Sequence, residues 1–261
     1  MPTSPFDPAA TAELLLDQWR RETQLEALPV ALRPQTLAEG YAAQDALFRA
    51  AGGVRGGWKL GVGSPAQLRA GNLSRPLIGQ LEAQRLHRSG AQVRLPLNAP
   101  VTVECEIAFV LARDLPPLAG REVDPADIRH ACVTFELVRS RFVDRRAVGW
   151  PSFVADNVGF EALVVSAPFS DGLDADLLRQ VDASAAVSLD GQVKARAQTG
   201  DDATDPLRSL AALYAHAADR NVMLRAGEIV STGAMCKPFD IVGAGHVLRA
   251  TYLDQELTLS L

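Results

Sequence analysis

The pattern of apolar and polar positions divides the chain near residue 54. Upstream of it, apolar residues recur at helical spacing over residues 9–28, and a second helical pattern follows Thr36. Thr36 and Glu39 have the spacing of a capping box, in which each side chain satisfies an early backbone N–H group. We therefore predict a helical N-terminal region over residues 1–53 and a separate domain over residues 54–261.

Downstream of this boundary, short apolar runs alternate with Gly, Pro and Asp, which is typical of strands and turns. Two further helices are predicted to begin at Asp124-Pro125 and Asp205-Pro206, because Asp is a good N-cap and Pro suits the first helical position. The nine predicted strands cover residues 58–62, 91–95, 101–111, 133–138, 162–165, 185–189, 228–231, 247–253 and 256–261. The second region is thus expected to be rich in β-structure.

Composition excludes several classes of protein. The 261 residues carry a formal net charge of −5 and contain no basic block, which argues against a nucleic-acid-binding protein. The three cysteines include no CxxC pair, so neither a disulfide framework nor a zinc site is indicated. No apolar run approaches the roughly 18 residues of a membrane span, and the N-terminus lacks the basic segment of a signal peptide. We expect a cytoplasmic protein that does not bind membranes.

Two glutamates in the predicted strand at residues 101–111 are candidates for chemistry. Glu104 and Glu106 share one face of the strand and stand about 6–7 Å apart along it. Two carboxylates so placed could converge on a hard divalent cation such as Mg²⁺ or Mn²⁺. The alternative is a solvated strand face, on which alternating glutamates are common.

A third glutamate lies inside an otherwise apolar strand. Glu136 is flanked by the apolar residues of the run at 133–138, and a buried carboxylate is costly unless it is paired or bound to metal. Arg139 or Arg141 could supply a salt bridge. We favour the interpretation that Glu136 is a third metal ligand.

The chain resembles the 2-keto-4-pentenoate hydratases of the fumarylacetoacetate hydrolase superfamily, in its hydratase and decarboxylase branch. Val103–Phe109 reads VECEIAF and is similar to the family motif E-x-E-I-A-F, and Val154–Asn157 matches V-A-D-N. The other segments that carry the resemblance, in the family's order and spacing, are Trp58–Ser64, Arg75–Leu81, Phe135–Phe142, Asp205–Leu207 and Leu224–Gly233.

This resemblance implies an α/β (α+β) fold, a mixed β-roll of the fumarylacetoacetate hydrolase C-terminal type with an N-terminal helical region. It implies Mg²⁺ or Mn²⁺ held by Glu104, Glu106 and Glu136, and a 2-oxo or 2-hydroxydienoic acid as the small-molecule substrate. It also implies a homo-oligomer, and such enzymes can associate with another enzyme of their pathway, here aromatic meta-cleavage catabolism.

Hydration of such an acid needs a group that moves protons near the metal. Lys59 is the candidate, since an amine can titrate where arginine cannot, and only three of the 26 basic residues are lysines. The alternative is a strand-end lysine that reaches solvent. Asn157 could orient substrate or water, or form a turn. Arg141 could bind the substrate carboxylate or brace Glu136, and Ser231-Thr232-Gly233 could surround the substrate head or simply leave the strand.

Two positions depart from the family pattern. Leu77 stands where typical hydratases have an acidic residue, as it does in the related 4-oxalocrotonate decarboxylases, and Arg139 replaces the Asp of D-S-R. The leading hypothesis is a metal-dependent hydratase of 2-hydroxypenta-2,4-dienoate-like acids. The alternatives are a 4-oxalocrotonate-type decarboxylase, an acylpyruvate C–C hydrolase and a non-catalytic partner subunit.

Overall fold

The computed structural model describes residues 6–95 and 99–261, and within them it contains six α-helices and thirteen strands. Helices α1 to α6 span Pro8–Arg20, Leu37–Ala50, Pro65–Ala70, Gly149–Ala155, Ala175–Ser184 and Pro206–Asp219. Strands β1 to β13 span Arg55–Gly61, Leu77–Glu82, Leu86–Arg88, Ala91–Gln92, Val101–Leu111, Ile128–Val138, Phe160–Asp171, Ala186–Leu189, Gln192–Arg196, Ile229–Ala234, Phe239–Ile241, Val247–Tyr252 and Gln255–Ser260. Residues 1–5 of the predicted N-terminal region lie outside the described residues.

Two mixed sheets form the β-rich body. In the larger sheet the strands run in the order β2-β1-β10-β5-β6-β7-β3, and β11 pairs with the first residues of β5. The pairs β1–β10 and β3–β7 are parallel and the other pairs of this sheet are antiparallel. The smaller sheet has the order β4-β13-β12-β8-β9. The predicted α/β class, with a mixed sheet and N-terminal helices, is confirmed.

The packing of apolar residues in the core determines on which face of the larger sheet the polar side chains of β5 lie. Val103, Cys105, Ile107 and Phe109 are buried in the main apolar cluster, which also contains Tyr252 and its neighbours from the smaller sheet. Since successive side chains of a strand point to opposite faces, the even-numbered residues of β5 must lie on the other face of the larger sheet. The core thus fixes the face on which Glu104 and Glu106 lie.

The N-terminal helices have an apolar cluster of their own. Leu15, Leu16 and Leu47 of α1 and α2 pack there with Phe142 and Ala155 from the β-rich body. The side-chain amide of Gln44 on α2 donates to two backbone carbonyls of that body, those of Ile78 at 2.9 Å and Val154 at 3.0 Å. These contacts attach the N-terminal helices to the β-rich body. The predicted domain boundary between residues 53 and 54 stays a prediction.

The predicted helix over residues 9–28 is too long. Helix α1 ends at Arg20 because Glu22 adopts a positive φ of 56°, and the following residues run as extended chain. Leu25 then pairs with Phe142, its N–H donating to the carbonyl of Arg141 at 2.8 Å. Tertiary pairing thus overrides the helical spacing of the apolar residues.

The helix predicted at Asp124-Pro125 is wrong. Asp124 caps Ala126 as expected, but only one 3-10 turn forms over Pro125–Asp127, and β6 begins at Ile128. The eleven-residue strand Ile128–Val138 gains a full ladder against β5, which a helix there would remove. The strand predicted at 91–95 is also shorter, since β4 covers Ala91–Gln92 alone.

Candidate metal centre and adjoining cavity

Two adjacent antiparallel strands bring three glutamates together. In the register of β5 and β6, Glu104 lies directly opposite Glu136, and Glu106 follows two residues along β5 on the same face. One carboxylate oxygen of each residue lies within 4.8 Å of the others. Glu106 and Glu136 are fully buried, while Glu104 is half-buried. The structure therefore brings the three predicted ligand residues to one point.

Burial and mutual repulsion oppose ionisation of this cluster. Burial, followed by the charges of Glu136 and Glu104, raises the pKa of Glu106 well above its ordinary value. Burial also raises the pKa of Glu136 to about 7, although the nearby charge of Lys59 acts in the opposite direction. Three such carboxylates can remain ionised together only where further positive charge compensates them.

Strand β10 holds Glu106 in place. The hydroxyl of Ser231 donates to Oε2 of Glu106 at 2.6 Å, and the backbone N–H of Gly233 donates to the same oxygen at 2.9 Å. Gly233 has a φ of +103°, which favours glycine and turns its N–H toward this carboxylate. One oxygen of Glu106 is thus fixed by the protein.

The remaining oxygens of the cluster suit a hard cation. Oε1 of Glu106 and Oε2 of Glu136 are buried and have no hydrogen-bond partner among the described residues. Buried polar atoms without partners are costly, and carboxylate oxygens are the donors that Mg²⁺ and Mn²⁺ prefer. The residues present therefore fit a divalent cation of this kind.

Lys59 lies against this cluster. Strand β1 runs parallel to β10 with Lys59 beside Ser231, and the Lys59 ammonium is buried 2.6 Å from Oε1 of Glu136. Nζ also donates to the backbone carbonyl of Val158 at 3.1 Å. The amine is thus positioned from two directions, and the alternative of a lysine reaching into solvent does not hold.

The carbonyl that receives Lys59 belongs to a strained turn. Asn157, Val158 and Gly159 have φ values of 51°, 54° and 70°, and a left-handed conformation of a β-branched residue costs roughly 1–3 kcal/mol. The Asn157 side chain spans this turn to β2, because its Oδ1 accepts from the Gln80 N–H and its Nδ2 donates to the Gln80 carbonyl, both at 2.8 Å. Of the two predicted roles of Asn157, this geometry favours the turn.

A cavity of about 380 Å³ opens beside the cluster. Lys59 and Glu104 line it, and Arg145 and Arg146 also contribute to its wall. Its apolar lining comes from Val62, Val138, Trp150, Phe153 and Val158, and α3 supplies Gln67 and Ala70. The cavity thus combines polar groups at the glutamates, an apolar wall and two guanidinium groups.

Comparisons with known proteins decide the family. The family model for the fumarylacetoacetate (FAA) hydrolase C-terminal domain matches residues 61–257. A 2-keto-4-pentenoate hydratase of Paraburkholderia phymatum is 31% identical over 236 residues, which cover 86% of this chain and 88% of that protein. The chain belongs to the fumarylacetoacetate hydrolase family.

Two further proteins are similar to the chain. A 4-oxalocrotonate decarboxylase of a Pseudomonas species is 25% identical over 178 residues, covering 68% of this chain and 67% of that protein. The structure of a 4-oxalocrotonate decarboxylase from Pseudomonas putida G7, complexed with magnesium and adipate, superimposes with a TM-score of 0.84 at 21% identity, covering 97% of this chain and 96% of that one. This likeness shows that the shared fold extends over the N-terminal helices.

The predicted substrate-binding residues of β10 serve other contacts in this family member. Ser231 and Gly233 bind Glu106, and the hydroxyl of Thr232 donates to the carbonyl of Ile107 at 2.7 Å. All three are buried, and the cavity beside the glutamates is lined by other residues. These contacts favour a role in holding the strands and a glutamate, and the role at the substrate head stays a prediction.

Arg141 also has a different partner from either predicted one. Its Nε lies 3.0 Å from Oδ1 of Asp156, and its backbone N–H donates to Oδ2 of the same carboxylate. Both side chains are buried. The guanidinium is thus paired with Asp156, and the role of Arg141 toward the substrate or Glu136 stays a prediction.

The two departures from the family pattern lie outside the glutamate cluster. Arg139 is buried, and its Nε donates to Oε2 of Glu161 at 3.2 Å, so the added charge is directed away from Glu136. Leu77 is buried in β2, opposite Gly61 of β1. The metal centre is thus compatible with both substitutions.

Sequence reasoning missed the arginines and aromatic residues of the cavity wall. Arg145 and Arg146 follow the segment that resembles the family motif, and Trp150 precedes the V-A-D-N run. The available signal was a pair of adjacent arginines between two family motifs. Their convergence with Lys59 depends on the return of the chain through α4, which the sequence pattern did not predict.

Among the described helices, none is long and apolar enough to cross a bilayer.

Proposed function

We propose that the chain is a divalent-cation-dependent hydratase that adds water to 2-hydroxypenta-2,4-dienoate-like acids and yields 4-hydroxy-2-oxo acids. The observation that carries this proposal is the trio of Glu104, Glu106 and Glu136, with buried unpartnered oxygens and with Lys59 beside it in the lining of a cavity. The relative named 2-keto-4-pentenoate hydratase supports the reaction class, which belongs to aromatic meta-cleavage catabolism.

The three glutamates would hold Mg²⁺ or Mn²⁺, as the oxygen donors and the magnesium of the related decarboxylase structure suggest. When bound, such a cation supplies Lewis acidity toward the carboxylate and the 2-oxygen of the acid. Ser231 and Gly233 keep one oxygen of Glu106 fixed, so the orientation of that carboxylate is set by β10 before substrate arrives.

Lys59 is the proposed proton carrier of the reaction. Its ammonium lines the cavity, and the contacts to Glu136 and the Val158 carbonyl keep Nζ at the glutamate end. There it can hand a proton to, or take one from, a carbon chain that extends along the apolar wall. The side chains of Val138 and Phe153 give that part of the cavity an apolar wall, so hydrogen-bond partners for water lie at the polar residues of the lining.

A decarboxylase of the 4-oxalocrotonate type is the second candidate. Leu77 favours it, because an acidic residue is expected at this position in typical hydratases. The relative named 4-oxalocrotonate decarboxylase, which is 25% identical to the chain, also supports this activity. We propose this activity as the alternative, ahead of acylpyruvate hydrolysis and of a non-catalytic partner role.

The test is consumption of 2-hydroxypenta-2,4-dienoate by metal-free protein to which Mg²⁺ or Mn²⁺ is restored. The proposal predicts loss of the dienoate absorbance with metal only, and one 4-hydroxy-2-oxo acid formed per dienoate consumed. Release of CO₂ from an added 2-oxo-enedioate at a higher kcat/KM than dienoate hydration would select the decarboxylase. Absence of both reactions would contradict an enzyme of this class.

We further propose a homo-oligomer in the cytoplasm that associates with another enzyme of its pathway. This proposal rests on the family resemblance, which implies an oligomer. Light scattering on the purified protein tests the assembly, and a mass equal to one 27.9 kDa chain would contradict it.

A further inference from the structure

A second cavity, of about 310 Å³, shares no lining residue with the cavity beside the glutamates. Its wall is built by the end of α1, the chain that follows β4, and the neighbouring positions of β6 and β7. The lining residues are Trp19, Arg20, Glu22, Arg94, Leu95, Arg139 and Glu161. Neither the proposed metal ligands nor Lys59 is among them, so the proposed function makes no use of this cavity.

The buried residue of this lining that lacks hydrogen-bond partners is Arg139, which stands where the family motif D-S-R has Asp. Its backbone N–H donates to the Gly159 carbonyl at 2.8 Å, and its Nε donates to Oε2 of Glu161 at 3.2 Å. Nη1 and Nη2 are buried, and no described residue accepts a hydrogen bond from them. Buried charged donors without acceptors are costly, so this guanidinium is suited to a partner that comes from outside the chain.

The carboxylates around Arg139 are engaged by other arginines. Oε1 of Glu161 lies 3.8 Å from Nη1 of Arg85, and Nε of Arg85 lies 3.4 Å from Oε2 of Glu82. Nε of Arg141 lies 3.0 Å from Oδ1 of Asp156. Burial lowers the pKa of Arg85 in spite of both glutamates, and the charge of Arg141 acts in the same direction as burial. Positive charge is thus crowded on this side of the sheet.

The charges of the lining favour a ligand with one negative charge. Arg20, Arg94 and Arg139 contribute three positive charges, and Glu22 and Glu161 contribute two negative ones. One positive charge is left in excess. A monoanion neutralises it, whereas a dianion such as hydrogen phosphate would meet the two glutamates with a charge that nothing in the lining balances.

The shape of the unpartnered group favours a carboxylate. The terminal nitrogens of a planar guanidinium present parallel N–H donors, which the two oxygens of a carboxylate match in one plane. Trp19 and Leu95 supply apolar surface for the rest of such an acid. Arg20 and Arg94 are exposed, and exposed side chains change rotamer within nanoseconds, so they can move aside as a ligand enters.

We propose that this cavity is a binding site for a small monocarboxylic acid, whose carboxylate accepts hydrogen bonds from Nη1 and Nη2 of Arg139. The apolar body of the acid packs against Trp19. The site goes beyond the proposed function, because it requires neither the divalent cation nor Lys59. It depends on Arg139, a residue of this chain that departs from the family motif.

Fluorine NMR on the full chain labelled with 5-fluorotryptophan tests the proposal, with benzoate as the probe and Mg²⁺ present throughout. The chain has three tryptophans, of which Trp19 lines this cavity and Trp150 lines the cavity beside the glutamates. One spectrum therefore reports on both places. We expect benzoate to shift the Trp19 resonance with a dissociation constant below about 10 mM, and inorganic phosphate to bind more weakly.

Three variants assign the binding to the arginines of the lining. Arg139→Lys keeps the charge beside Glu161 and loses the planar pair of donors, so benzoate should bind about tenfold more weakly. Arg94→Gln, a change at an exposed position, should weaken binding by about two- to fivefold through the lost charge. Arg88→Gln is the matched control, an exposed arginine of β3 outside the cavity, and should bind as the wild type does.

A Trp19 resonance that does not respond to benzoate would overturn the inference. So would a dissociation constant that is the same in the wild type and in either the Arg139 or the Arg94 variant. Tighter binding of phosphate than of benzoate would contradict the choice of a carboxylate. A shift at Trp150 alone would place the acid beside the glutamates and would also contradict the assignment.

Discussion

The ammonium of Lys59 and Oε1 of Glu136 lie 2.6 Å apart, with both side chains buried. The pair joins the proposed proton carrier to a proposed metal ligand, because β1 and β6 are both neighbours of the strand pair β5 and β10 in the larger sheet. On the proposed function, a proton moved by Lys59 would stay beside the proposed metal site.

Replacing Lys59 with Met should lower dienoate turnover by about 10²- to 10⁴-fold, the usual contribution of a positioned proton carrier. Binding of Mn²⁺ should stay as tight or become tighter, because a positive charge leaves the site. Lys59→Arg should be as inactive as the Met variant, since arginine keeps the charge but does not titrate. Steady-state rates and Mn²⁺ titration on the same preparations give the answer, and near-normal turnover in either variant would refute the role.

The hydroxyl of Ser231 should matter for metal affinity. Ser231→Ala removes the 2.6 Å hydrogen bond to Glu106 and should weaken Mn²⁺ binding by about 10- to 100-fold. Thr232→Val is the matched control, because it removes a buried hydroxyl that contacts the Ile107 carbonyl on the other face of the strand. Equal Mn²⁺ affinity of the Ser231 and Thr232 variants would show that the hydrogen bond from Ser231 to Glu106 is not needed for metal binding.

Arg141 should be required for stability and not for substrate affinity. Arg141→Met leaves the buried Asp156 carboxylate without its ion pair and should cost about 3–5 kcal/mol in the free energy of unfolding. The double variant Arg141→Met with Asp156→Asn should recover part of that loss. Urea unfolding measures the cost, and a variant of unchanged stability with a raised KM would instead support the predicted substrate-binding role.

Acid should destabilise the protein through His216. Burial, together with the charges of Arg220 and Arg75, lowers the pKa of this histidine to about 3, below its ordinary value of 6.5. The unfolded chain takes up this proton first, so the associated stability is complete above pH 6.5 and is lost as the pH falls toward 3. The slope reaches at most about 1.4 kcal/mol per pH unit.

Urea unfolding between pH 7.5 and pH 4.5 tests whether the free energy of unfolding falls as the pH is lowered. Relative to His216→Gln, the wild-type protein should lose more stability over that range, because glutamine does not titrate. His87→Gln, at a half-buried strand position, is the control and should follow the wild-type curve. A wild-type curve parallel to that of the His216 variant would contradict the assignment.

The sequence contained most of the metal centre because strand periodicity is a local rule. Glu104 and Glu106 share a face by the period of two, and the apolar neighbours of Glu136 required a partner for its charge. What joined them was the register of β5 with β6, which places Glu104 opposite Glu136 and depends on contacts far apart in sequence. The family resemblance had already indicated that the three glutamates lie together.

Other residues could not be assigned by local reasoning. Ser231 and Gly233 were expected at the substrate, yet whether a polar group faces a cavity or a neighbouring strand depends on the packing of three strands. Asp124-Pro125 has a good helix start, but the sheet ladder of Ile128–Val138 outweighs it. Capping describes how a helix begins and does not decide whether tertiary pairing will let it continue.

Titration of the metal-free protein with Mn²⁺, followed by electron paramagnetic resonance, tests the central claim most directly. The account predicts one tightly bound Mn²⁺ per chain, with a spectrum that changes when oxalate, a mimic of a 2-oxo acid head, is added. Glu106→Gln and Glu136→Gln should abolish this binding, while Glu256→Gln, at an exposed position of β13, should retain it. Absence of bound Mn²⁺ in the wild type, or unchanged binding in the Glu106 variant, would contradict the account.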